Sequence, residues 1–63
     1  MSSPKEAEMI AFEYLEKNRY QKIELKTISD KIFKWEVRLF ADSKEVSLDI
    51  TKQGDVIGFF TVE

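Results

Sequence analysis

The chain contains no cysteine and no histidine. The first absence excludes a disulfide framework and a thiolate metal site. The second removes the commonest metal ligand and the usual acid/base of catalysis near neutral pH. Glycine occurs twice and proline once, so a phosphate-cradling, glycine-rich loop has no sequence to form from. No apolar run approaches membrane-spanning length. The opening residues Met1-Ser2-Ser3-Pro4-Lys5-Glu6 are polar where a signal peptide carries an apolar run. The chain is therefore expected to be soluble and cytoplasmic and not to insert into a membrane. A secreted or envelope location would apply to a piece cut from a longer protein. Ten basic and twelve acidic residues give a net charge of -2, well mixed along the chain. A basic stripe of the kind that nucleic-acid binding requires is missing, so nucleic acid is not the expected partner.

The 63 residues allow one domain, 1–63. A domain of this size buries only about 60% of its unfolded surface, and ordering it costs about 1.5 kcal/mol per residue. Nearly every large apolar residue is expected to be used in packing, and a second copy of the chain is one way to extend a small core.

The most informative stretch is Phe33-Lys34-Trp35-Glu36-Val37-Arg38-Leu39-Phe40, where large apolar and charged residues alternate. That period of two describes a strand with one buried and one wet face. It predicts a central strand over 32–40 with Phe33, Trp35, Val37 and Leu39 inward. Ahead of it, Ser3-Pro4-Lys5-Glu6 is a helix start: Ser3 caps, Pro4 suits the first helical position and Glu6 completes a capping box. The helix is expected over about 4–19, with Ala7, Ile10, Ala11, Tyr14 and Leu15 on one face, Phe12 at its edge and Met9 exposed. It ends without glycine, so fraying is expected there, with Tyr20 folding back over the core. Strands are expected at about 23–28, 32–40, 45–51 and 56–62. Ser29-Asp30-Lys31 and Ala41-Asp42-Ser43-Lys44 form turns between them, and Gly54 takes a positive φ in the last turn. The fold class is α+β: one N-terminal helix packed on a four-stranded antiparallel meander, in two layers.

The last strand, Val56-Ile57-Gly58-Phe59-Phe60-Thr61-Val62, is apolar on both faces. If Gly54 sits in a bulged three-residue turn, Thr51 lies opposite Asp55, Ile50 opposite Val56, Leu48 opposite Gly58 and Val46 opposite Phe60. Val56, Phe60 and Val62 then point inward, and Gly58 gives the helix room. A four-residue turn slips the register by one and reverses this. The bulged turn is the adopted expectation. It leaves Ile28, Ile32, Phe40, Ile57 and Phe59 on the uncovered face, too much apolar material to leave in water if contiguous. These five residues are the candidate protein-binding site, for a homodimer formed sheet to sheet, a partner protein or an added strand. The plainer account is that they are scattered or shielded by the stems of Lys34 and Arg38.

Other constellations say less. Trp35 could stack on a base or sugar, but its apolar neighbours on the same face, Phe33 and Val37, mark it as core. Asp42, Asp49 and Asp55 lie in or beside turns at spacings that fit no EF-hand. Lys26, Lys34 and Arg38 could form an anion or nucleic-acid site, although Glu24 and Glu36 share their face. No nucleophile has a base beside it. The expectation is a non-enzymatic chain without metal or cofactor.

From Trp35 onward the sequence resembles a known pattern. Trp35-Glu36-Val37, then Val46-Ser47-Leu48-Asp49-Ile50, then Gly54-Asp55-Val56-Ile57 is similar to the PepSY domain, with its helix, "W-x-V" strand and "V-x-h-D-h-x-x-x-G-x-V" hairpin. The helix with Ala7 and Ala11 fits the family's first segment. PepSY domains are similar to halves of cystatin-like folds. The resemblance implies a small inhibitory or regulatory module, often linked to peptidases or the cell envelope. The family pattern supplies no catalytic residue to carry over.

Overall fold

A computed structural model describes residues 3–62. It shows the expected order: helix α1 (Pro4–Lys17), then strands β1 (Ile23–Asp30), β2 (Lys34–Ala41), β3 (Lys44–Thr51) and β4 (Val56–Val62). The strands form one antiparallel sheet in sequence order, β1-β2-β3-β4, with α1 across one face. No helix among the described residues is long and apolar enough to cross a membrane.

The core has one layer of side chains on each side. Ala7, Ala11 and Leu15 of α1 are buried against Trp35, Val37, Leu39 and Ala41 of β2 and Val46, Leu48 and Ile50 of β3. Small residues at two of the three buried helix positions let the helix approach the sheet closely. Ile10, Phe12 and Tyr14 pack at the margins of this stripe.

The ends of the helix follow local rules, one of them unexpected. Ser3 caps the start, its Oγ accepting from the Glu6 N–H at 3.3 Å. The C-terminus is closed, not frayed. The Tyr20 N–H donates to the Leu15 carbonyl at 3.1 Å and the Arg19 N–H to the Glu16 carbonyl at 3.0 Å, with Arg19 left-handed at φ 71°. This is a Schellman motif with arginine where glycine is usual. Tyr20 does fold back on the core, as expected.

Asp42 then ties this end of the molecule together. It forms the β2–β3 turn with Ser43, at φ 52° and 72°, between the paired residues Ala41 and Lys44. Positive φ at both central positions matches the strand twist of a type I′ hairpin. The Asp42 carboxylate accepts from the Lys22 N–H at 2.8 Å and the Gln21 N–H at 3.2 Å. Its own N–H donates to the Lys22 carbonyl at 2.8 Å. One side chain in the turn thus anchors the connection between helix and sheet.

The β3–β4 turn has the expected form. Gly54 has φ 101°, and the Thr51 N–H donates to the Asp55 carbonyl at 2.7 Å. Ile50 lies opposite Val56, but a bulge at Ile57 then shifts the register, so that Gly58 lies opposite Asp49, Phe59 opposite Leu48, Phe60 opposite Ser47 and Thr61 opposite Val46. The expected inward positions of Phe60 and Val62 are thereby corrected: both take the uncovered face. Phe59 moves beneath the helix, its ring 5.7 Å from Tyr14 and 6.3 Å from Tyr20. Gly58 makes room for Asp49 and the Phe60 ring, each within 3.2 Å of where a Cβ would stand, and not for the helix.

A second bulge, at Lys26 between Leu25 and Thr27, acts likewise on β1. It carries Ile28 to a position opposite Val37, on the core face. β1 also runs on to Asp30, and β2 begins only at Lys34. Ile32 and Phe33 therefore lie in the connecting loop, not in a strand, and Phe33 is outside the core.

Two measurements check these assignments. Phe59→Ala should cost about 2–3 kcal/mol in urea unfolding, somewhat below a fully buried phenylalanine, whereas Phe60→Ala should cost under about 1 kcal/mol. Similar costs at both positions would contradict the register. Arg19→Gly and Ser43→Gly should each stabilise by about 0.5–1 kcal/mol, because glycine relieves the left-handed backbone. Thermal melts of the two variants give the comparison.

Candidate docking surface

The uncovered sheet face is built from the alternate residues of each strand. β2 supplies Lys34, Glu36, Arg38 and Phe40, and β3 supplies Glu45, Ser47, Asp49 and Thr51. Beyond them β4 contributes Gly58, Phe60 and Val62. The charges interlock. Lys34 Nζ lies 3.1 Å from Asp49 Oδ2, and Lys26 Nζ lies 3.0 Å from Glu45 Oε2. Arg38 reaches Glu45 at 3.7 Å and Glu36 at 4.0 Å, and Lys31 reaches Glu36 at 3.8 Å. Lys26 Nζ also sits 5.5 Å above the centre of the Phe40 ring. Each such half-exposed pair contributes only about 0.2–1 kcal/mol. Together they fill the middle of the face with matched charge.

The candidate residues are dispersed. Of the five, Phe40 alone projects from the middle strands onto the uncovered face, half-covered beneath Lys26. Ile57 is exposed at the β4 bulge. Ile28 and Phe59 face the core, for the bulge reasons given above. Ile32 is exposed, but at a hairpin tip. No contiguous apolar patch forms from these five.

Two other apolar groupings emerge instead. The first is the β1–β2 hairpin tip, where Ile32 and Phe33 are 86% and 84% exposed. The Lys31 N–H donates to the Lys34 carbonyl at 2.9 Å and closes the loop around them. Loops favour Gly, Asn, Asp, Ser or Pro for stated steric and hydrogen-bonding reasons, and this one has none between Lys31 and Lys34. The second is the β4 margin, where Ile57 and Phe60 are 62% and 57% exposed, with Val62 beside them. Sequence reasoning named Ile32 but placed it at the start of a strand, and it missed Phe33, which continues the alternation of β2. A signal for β4 existed in Gly58, since an isolated glycine inside a strand often marks a bulge.

At the opposite face, a pocket of about 110 Å³ opens between the start of α1 and the β3–β4 turn, lined by Glu6, Ile10, Trp35 and Gly54 among others. Trp35 is buried and its Nε1 finds no acceptor among the described residues. Lys52 Nζ lies 3.8 Å over the indole ring and pairs with Asp30. No group of three metal-ligating side chains comes together among the described residues. Comparison with protein-family models, with curated proteins and with solved structures yields no match.

The charge pairing bears on nucleic acid. Lys26, Lys34 and Arg38 would have to release their carboxylates before they could neutralise phosphates. Fluorescence anisotropy of a labelled DNA or RNA oligonucleotide should therefore stay flat on titration with this protein at about 50 mM salt. A rise that disappears on adding salt would restore the nucleic-acid reading.

Proposed function

We propose that this chain is a non-catalytic protein-interaction module of regulatory type, which engages its partner with the Ile32–Phe33 hairpin tip. The observation that carries the reading is the tip itself. Two large apolar residues stand almost wholly in water, in a loop whose local chemistry would favour small polar ones. They serve neither turn formation nor burial. Departures from local rules of this kind concentrate where a protein meets something else. The other turns of the sheet follow the rules: Asp42-Ser43 in one, Lys52-Gln53-Gly54 in the other.

A projecting Ile-Phe pair fits an apolar pocket on a protein partner, with Lys31 and Lys34 at its rim. Large apolar anchors surrounded by polar groups are the usual source of interface affinity. The lack of His and Cys supports a non-catalytic role. The PepSY-like motifs, which imply an inhibitory or regulatory domain, support the same class. The uncovered face is a poor seat for sheet-to-sheet dimerisation, because its centre is occupied by ion pairs whose desolvation would cost more than the sparse apolar groups return.

The test is a double variant, Ile32→Ser with Phe33→Ser. Its stability should stay within about 0.5 kcal/mol of the parent, since both side chains are exposed. In affinity capture followed by mass spectrometry, proteins retained by the parent should be lost from this variant and kept by Met9→Ser, on the far side of the helix. An identical set retained by all three would overturn the reading.

A further inference from the structure

The two edges of the sheet differ. β1 (Ile23–Asp30) carries Glu24, Lys26 and Asp30 and is broken by the bulge at Lys26. Charges and bulges are the devices that keep an edge strand from recruiting another. β4 (Val56–Val62) has no charged residue along its 7-residue length, and it is the last strand of the sheet. Its bulge at Ile57 leaves Gly58–Val62 as the regular part, and Phe60 is the middle of that stretch.

From this contrast we infer that β4 pairs antiparallel with β4 of a second copy, about a two-fold axis at Phe60, making one continuous sheet. The inference is independent of the hairpin-tip reading. An axis perpendicular to the sheet keeps both helices on the same side. Phe60 meets the partner's Phe60, Gly58 meets the partner's Val62, and Phe59 meets the partner's Thr61. No charge opposes a like charge, and the unpaired N–H and C=O groups of both edges are satisfied. The Phe60 ring, now lying over Gly58, gains the partner's Val62 as a neighbour on the uncovered face. The charged, bulged β1 strands are left at both ends of the joined sheet, so assembly closes at two copies and does not propagate. The contact is short, which places it with small, weak interfaces below about 1,200 Å².

Sedimentation equilibrium of the purified chain tests this directly. The mass should rise from 7.4 kDa towards twice that value as concentration approaches millimolar, and level there. Phe60→Lys and Phe60→Glu each place like charges across the axis and should weaken association at least tenfold. An equimolar mixture of the two should recover it, because unlike charges then meet. The 57% exposure of Phe60 makes both substitutions compatible with folding, and near-ultraviolet circular dichroism of Trp35 verifies it. A parent that stays at 7.4 kDa, a mass that climbs without levelling, charge variants that associate as well as the parent, or a mixture that fails to associate would each overturn the inference. The Ile32→Ser, Phe33→Ser variant should dimerise like the parent, so the two readings fail separately.

Discussion

One helix can cover one face of a four-stranded sheet, and that limit governs the rest of the molecule. Ala7, Ala11 and Leu15 bury the inner rows of β2 and β3 completely. The two alanines among them let the helix lie close to the sheet. The two margins of the sheet are sealed differently. Aromatic rings, Tyr14, Tyr20 and Phe59, close the β4 side, and Ile23 and Ile28 close the β1 side. The other face has no cover at all, and its ion pairs are what make it compatible with water.

Because one face is dry and the other wet, a single extra residue in a strand decides which side chains are buried. The central strands were legible for this reason. Trp35, Val37 and Leu39 alternate without interruption, as do Val46, Leu48 and Ile50, and the structure keeps both rows inside. The outer strands were less legible because each contains a bulge. In β4 all residues but Gly58 and Thr61 are large and apolar, so the sequence itself scarcely distinguishes Phe59 from Phe60. The choice is made by tertiary contact: only Phe59 can reach both tyrosines. In β1 the pattern Ile23, Leu25, Ile28 already breaks a strict alternation, and the bulge at Lys26 resolves it by turning Ile28 inward. The helix stripe and its cap were plain from spacing. Its closure was not, since a left-handed arginine has no sequence signature.

The candidate site was hidden by the same effect in a different place. Phe33 extends the alternation of β2 by one step, and nothing in that pattern marks the point at which the strand stops. The structure places the stop at Lys34, and the residue that looked most like core becomes one of the most exposed. Asp42 shows the converse. The sequence marks it only as a turn residue, yet its carboxylate holds the backbone of Gln21 and Lys22 in place and so fixes how the helix is delivered to the sheet.

The order of the strands has a kinetic consequence. Every pairing in the sheet joins neighbours along the chain, so no long loop has to close before a contact can form. The central hairpin, with its tight Asp42-Ser43 reversal, can assemble first and accept an outer strand on each flank. The helix is then free to dock last, on a platform already shaped to receive it. Topologies so local in their contacts belong at the faster end of the range for sheet-containing domains.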